Sequence, residues 1–238
     1  MNIRKSILVT ELWKPLLALV LASAFAVGAV ILRALLTHHV RPISLVWNLF
    51  LASVPLMFAV ALELKCLTNS GRSIKAALFC GWLVFFPNAP YILTDFVHLK
   101  SRWHPQFWTE LSGLLLFSWC GALAGFLSLY IVQRLIARRY GTAFGWMFIV
   151  CIAALTGVGI YLGRIERWNS WDVLIHPLEI LADIARLAMD ALHRGPTSRM
   201  AALFSLIVFV GHATLYSLMR PPRVEMEAAN PGAVVIGK

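Results

Sequence analysis

The sequence predicts an all-α protein, a polytopic transmembrane helical bundle of about six spans with the third span broken by prolines and one outer amphipathic helix. Its 238 residues are 60% hydrophobic and only 13% charged, with a mean hydropathy of +0.76, too apolar for an ordinary soluble domain. The apolar residues fall in runs of about 20, the length that crosses ~30 Å of hydrocarbon. Polar and basic residues gather between these runs, as they do at the ends of membrane spans. One bundle domain over residues 1–219 is expected, with no soluble domain attached and a disordered tail at 220–238.

The first run, 16–36, follows Arg4, Lys5 and Lys14 and contains small-residue triplets that resemble a signal cleavage site. Its apolar stretch outruns the ~7 to 15 residues of a signal-peptide core, so a retained helix is expected. The second run, 43–64, carries Asn48 in its first half. The third, 76–93, ends in the string Phe86-Pro87-Asn88-Ala89-Pro90-Tyr91-Ile92-Leu93-Thr94-Asp95-Phe96-Val97-His98. Pro87 and Pro90 each remove a backbone donor and press on the carbonyl four residues back, while biasing Phe86 and Ala89 toward extended backbone. The freed carbonyls need partners in hydrocarbon, and Asn88 lies between the prolines with both a donor and an acceptor to offer.

Runs four and five, 111–132 and 144–162, flank the cluster Arg134, Arg138, Arg139. After the fifth comes Gly163-Arg164-Ile165-Glu166-Arg167-Trp168-Asn169-Ser170-Trp171-Asp172. Between that string and the sixth run, 200–219, Pro177 opens a segment in which Glu179, Asp183, Arg186 and Asp190 recur at helical spacing on one stripe, and Gly195-Pro196 closes it. Each charge would cost about 2.5–3.5 kcal/mol at mid-bilayer, so this helix is expected on the outer membrane surface or against the bundle rather than across it. The tail from Arg220 mixes Pro, Gly and Glu without periodicity.

With a cytoplasmic N-terminus, 12 of the 21 Lys and Arg fall on the inner side, so both termini are expected inside and both polar strings outside. The net charge of +10 belongs to span flanks and not to one patch, which makes the lipid bilayer the expected partner and excludes nucleic acid. Cys66, Cys80, Cys120 and Cys151 have no paired spacing and are expected as buried thiols, forming neither a disulfide framework nor a zinc site. No nucleotide loop, nucleophile elbow, zinc-protease pair or haem-attachment string is present.

The two strings place costly polar groups where the bilayer begins. The candidate ligand-binding residues are Asn88, Thr94, Asp95, His98, Arg164, Glu166, Arg167, Asn169 and Asp172, with Asn48 near enough to join them. If a helix resumes at Thr94, Asp95 and His98 share a face, a spacing that serves a relay, an ion pair or a metal equally. With no third ligand in zinc-site spacing, neither His98 nor His104 is assigned as a metal ligand, and the cofactor is left unknown. One reading is a shared outer pocket in which Arg164 or Arg167 holds an anionic group of a small polar or lipid-headgroup ligand. A second is a membrane hydrolase or transferase with Asp95 and Asp172 as acid, base or metal ligands and Arg164 and Arg167 on a phosphate. A third is purely structural: Asn88 and Thr94 cap a kink, Asp95 meets a basic partner, and Trp103, Trp108, Trp168 and Trp171 form a headgroup belt. Permeation through the third span is disfavoured, because between Ala76 and Phe85 only Cys80 and Trp82 carry polarity.

Residues 86–99, together with Gly-Ile-Tyr-Leu-Gly-Arg at 159–164 and Arg-Trp-Asn-Ser-Trp-Asp at 167–172, closely resemble domain-of-unknown-function family 1361. The resemblance spans the second to the sixth run. It implies a bacterial cytoplasmic-membrane protein and carries no biochemical assignment with it.

Overall fold

The structure, a computed structural model, describes residues 12–37, 43–68, 71–99, 107–169 and 171–219, without the side chains of 36, 37, 43, 97 and 98. The described chain is helical throughout, with no strand. The helices are α1 (Trp13–Thr37), α2 (Ile43–Leu67), α3 (Arg72–Phe85), α4 (Asn88–Tyr91), a 3-10 helix (Ile92–His98), α5 (Phe107–Tyr140), α6 (Thr142–Arg164), α7 (Asp172–Ile175), α8 (Pro177–Leu192) and α9 (Pro196–Met219). Among these residues six segments are long and apolar enough to cross a membrane, the third of them running through the break from Arg72 to Phe96. The protein is a multi-pass integral membrane protein.

Its packing centres on α5, the most enclosed span. At 34 residues and 1.5 Å per residue, α5 is about 51 Å long, well beyond the ~30 Å of hydrocarbon. The span anticipated at 111–132 therefore continues as regular helix through the Arg134, Arg138, Arg139 cluster, whose polar side chains prefer helix as readily as loop. The earlier helices α1, α2, α4 and the 3-10 helix and the later helices α6 and α9 all pack on α5, α4 also meets α6, and α8 rests on α6 and α9. The core joins Trp82, Phe86, Phe117, Leu129, Tyr130, Ile149 and Val208 from both sets. Trp82 also donates from its indole nitrogen to Ser128 Oγ at 3.3 Å, tying α3 to α5 with an interhelical bond of the modest strength usual in membranes.

The third span breaks where expected, but not into extended backbone. Phe86 (φ −56°, ψ −40°) and Pro87 (φ −59°, ψ −21°) keep right-handed helical angles, and Ala89 sits inside α4. The bias that a proline imposes on its predecessor is overridden here by burial: Phe86 is enclosed and its ring lies 5.0 Å from that of Trp82. The chain loses hydrogen-bond register at the prolines and continues as a tighter coil. That coil is seated in glycine notches on two spans. A Cβ at Gly125 would meet Ala89 Cβ at 2.7 Å and one at Gly121 would meet Ile92 Cγ2 at 2.9 Å, while on α6 one at Gly159 would meet the Pro87 ring at 2.9 Å and one at Gly163 the Tyr91 ring at 3.2 Å. Two Gly-x-x-x-Gly pairs thus admit the broken segment as they admit a close helix in a membrane dimer.

The two ends of the bundle carry different polar groups. At one, the start of α2, the finish of the broken third span and the finish of α6 converge, with α7 and α8 beside them; we term it the motif end. At the other, buried Glu63 of α2 receives Arg138 of α5 at 3.4 Å. Between that end and the middle, His212 Nε2 of α9 lies 2.7 Å from Gln133 Oε1 of α5, both side chains buried. The cysteines depart from expectation: Cys120 is buried, but Cys66, Cys80 and Cys151 are exposed on the outward sides of their helices, where a thiol is apolar enough to face lipid. The tail 220–238, His104 and Trp103 lie outside the described residues.

Candidate functional site

The motif end is built on the 3-10 helix. Thr94 donates its hydroxyl to Tyr91 O at 2.7 Å and Asn88 donates its amide to Phe85 O at 3.1 Å, so Thr94 serves a carbonyl just beyond the proline break and Asn88 the Phe85 carbonyl just ahead of it. Asn88→Ala should expose that carbonyl to an apolar surrounding at a cost of about 1 kcal/mol, read as a lowered Tm of the detergent-solubilised protein with no change in helix content.

Asp95, next along the 3-10 turn, is 6% exposed. Its Oδ2 accepts a hydrogen bond from Asn48 Nδ2 at 2.6 Å, which joins it to the start of α2. Its Oδ1 lies 4.0 Å from a guanidinium nitrogen of Arg164, at the last turn of α6. Arg164 also donates to the Thr94 carbonyl and, at 3.4 Å, to the Tyr91 hydroxyl, with its guanidinium 5.5 Å from the centre of the Tyr91 ring. One cation at the end of α6 therefore serves a carboxylate, a helix-end carbonyl and an aromatic ring of the broken span, three environments that each favour positive charge. The side chain keeps 18% of its surface accessible.

The remaining candidates divide differently from the single pocket anticipated. Glu166 accepts a 2.6 Å hydrogen bond from Tyr161 Oη, one turn back on α6. Arg167 is exposed and adopts left-handed backbone (φ 64°), turning the chain away from the site. Asp172 Oδ2 accepts from Asn169 N at 2.6 Å and from Asn169 Nδ2 at 3.2 Å, closing an exposed local turn ahead of α7. An Asp three residues after its partner closes such a turn more readily than it reaches another helix, and it has no contact with Asp95. His98 belongs to the 3-10 helix, but its side chain is outside the described residues. Among those residues no three His, Cys, Asp or Glu side chains gather as a metal would require.

A family model described as protein of unknown function DUF1361 matches residues 47–213, more than half of the chain. The chain belongs to the DUF1361 family. No curated protein and no solved structure matches it. The match takes in every residue of the Asp95 and Arg164 cluster, from Asn48 in α2 to the end of α6, as well as the whole of α7 and α8.

Two groups at the site of this DUF1361 member were not assigned a role from the sequence. Tyr91 is the shared platform for Arg164, yet an aromatic inside an apolar string reads first as core. The four glycines that seat the broken span carry a signal, spacing of four within two different spans, but which surface they receive depends on tertiary neighbours. The second motif meanwhile contributes to a separate polar cluster. Trp168 donates its indole N–H to Asp183 Oδ2 of α8 at 2.7 Å, and Arg186 of α8 reaches Asp183 Oδ1 at 2.7 Å. Gly163, flanked by the Tyr91 ring and the Trp168 carbonyl, lies between the two clusters.

Proposed function

We propose that this membrane protein binds an anionic group, carried by a lipid headgroup or a small polar solute, at the motif end, with Arg164 as the group that holds it. The orientation we infer puts that end outside and both termini inside, in a bacterial cytoplasmic membrane. It draws on the basic cluster Arg134, Arg138, Arg139 at the opposite end of α5 and on the family's residue pattern. One observation carries the binding reading: Arg164 is a charged side chain drawn into a bundle rim by Asp95, Thr94 and Tyr91, yet it keeps an accessible edge. A guanidinium oriented by a carboxylate, a carbonyl and an aromatic ring, with 18% of its side chain accessible, can be approached by a carboxylate or phosphate oxygen.

The hydrolase or transferase reading finds less support, because Asp172 and Glu166 are engaged in their own local bonds and do not join Asp95. A structural reading has one observation in its favour. Both Asp95 oxygens have partners, Asn48 on one and Arg164 on the other, so the cluster is satisfied without a ligand.

Native mass spectrometry of the purified protein separates the two. With equal amounts of phosphatidylglycerol and phosphatidylcholine, preferential retention of the former is expected, while glycerol phosphate alone tests for a soluble ligand by thermal shift. Arg164→Lys keeps the charge near Asp95 but removes the planar fork, and should abolish the preference in a protein that still folds. Equal retention of both lipids with no shift from glycerol phosphate, or an unchanged preference in Arg164→Lys, would leave the structural reading in possession.

A further inference from the structure

Helix α8 buries a carboxylate on its inward face, between Ile180 and Leu187. Asp183 is 3% exposed and held by Trp168 and Arg186, and Asp190 accepts the Ser198 N–H at 2.7 Å, capping the start of α9. A larger apolar stripe faces away. Leu178 and Leu192 are 79% and 82% exposed, Leu181 and Met189 each 60%, and Leu174 and Ile175 of α7 extend the same surface at 86% and 64%. The helix cannot roll to hide this stripe without breaking the Trp168–Asp183–Arg186 cluster on its other side.

Its position decides what covers the stripe. Leu187, on the inward side, packs with Tyr161, Ala201, Val158 and Leu162, so α8 lies against the flanks of α6 and α9 and not over their ends. Val158 is six residues short of the end of α6, about 9 Å down the helix at 1.5 Å per residue. That depth falls within the ~5–10 Å to which in-plane amphipathic helices sink into a leaflet. The outward stripe therefore continues the lipid-facing sides of α6 and α9, where Leu155, Ile165, Leu203 and Leu206 are exposed.

Charge selects the lipid. Residues 164–199 hold five arginines and five acids and are formally neutral, but the fold sorts them. Arg167, Arg186, Arg194 and Arg199 are exposed, whereas among the acids only Glu179 is. Glu166, Asp172, Asp183 and Asp190 are drawn back by bonds to Tyr161, Asn169, Trp168 and the start of α9, and Arg186 is paired with Asp183, so Arg167, Arg194 and Arg199 are the outermost charges of a formally neutral segment and form its rim. A second copy docking by two-fold symmetry would set that rim against itself.

We propose that α7 and α8 form an in-plane anchor for anionic lipid in the leaflet at the motif end, with the leucine stripe among the acyl chains and Arg167, Arg194 and Arg199 at the phosphates. Each arginine adds roughly 1 kcal/mol of attraction to an anionic surface.

Spin labels on single cysteines at 178, 181 and 192, with 179 as the polar control, test this in vesicles; Cys66, Cys80 and Cys151 are replaced by alanine and buried Cys120 is kept. These positions are exposed, so labelling removes no packing. Labels at 178, 181 and 192 should collide several-fold more with oxygen than with a water-soluble nickel chelate, and the label at 179 should do the reverse. They should also sit deeper in phosphatidylcholine mixed with phosphatidylglycerol than in phosphatidylcholine alone. Arg167→Asn with Arg194→Asn should remove that difference; asparagine suits the left-handed backbone at both positions (φ 64° and 53°), so the turns are kept. Chelate access at 178, 181 and 192 equal to that at 179 overturns the proposal in favour of a water-facing helix. Labels there that are immobile and dark to both reagents overturn it in favour of a protein partner. Equal depth in the two lipid mixtures overturns the anionic selectivity.

Discussion

Arg164→Ala should destabilise the protein by about 3–5 kcal/mol, the usual cost of leaving one member of a buried pair unmatched. Asp95 would remain on the 3-10 helix, 6% exposed, with Asn48 as its one remaining partner. The Thr94 carbonyl and the Tyr91 hydroxyl would lose a donor in the same step. The expected readout is a sharp fall in folded yield and in Tm in detergent. Arg164→Ala combined with Asp95→Asn should recover a large part of the loss, because the neutral amide still bonds Asn48 and leaves no uncompensated charge. A double-mutant cycle then gives the coupling of the pair, which should exceed that of any surface ion pair in the molecule. Equal loss in the single and the double variant would show that Arg164 acts through Tyr91 and Thr94 alone.

The second large effect is expected at the joint between α6 and α9. A Cβ at Gly157 would overlap the Ala201 carbonyl oxygen and Ser205 Oγ. The first obstacle is backbone and cannot rotate aside, so a side chain here can be admitted only by moving one helix away from the other. Gly157→Leu should cost about 1–3 kcal/mol or more by overpacking. Ala201 belongs to the cluster that seats Leu187, so the same change should loosen α8. Faster proteolysis between α8 and α9, together with a lowered Tm, is the expected result. Gly113, which has open space around it, serves as a control whose leucine variant should be near neutral.

What the sequence makes legible follows the range of the physics involved. Span number depends on apolar length, and α8 is set by local signals, with a proline at its first position and Gly195-Pro196 after its end; its observed limits, Pro177–Leu192, are those of the charged stripe and its flanks. The direction in which that stripe points is a different matter. Periodicity puts the four charges on one stripe, but the fold divides them: Asp183 goes inward to Trp168, beside Leu187, while Glu179 and Arg186 stay exposed. The same limit explains the divided candidate site. Arg164 and Asp172 are near neighbours in sequence, but Arg164 lies in the last turn of a rigid span while Asp172 follows a turn it closes itself. The left-handed residue between them, Arg167, redirects the chain, and nothing in its identity announces this. At the prolines the local rule predicts extended backbone, and burial of Phe86 defeats it.

Because α5 is the support on which earlier and later spans rest, the order of synthesis carries a consequence of its own. The chain leaves the ribosome from its N-terminus, so the first three spans reach the bilayer before the helix that gathers them. Glu63 waits 75 residues for Arg138, and Thr94 waits 70 for the guanidinium that will meet its carbonyl. During that interval the nascent protein holds acids in or beside hydrocarbon with their cationic partners not yet made. Its hold on the insertion machinery should therefore outlast the entry of any single span, and a chain that stalls before α6 is complete is the form a membrane quality-control protease would meet.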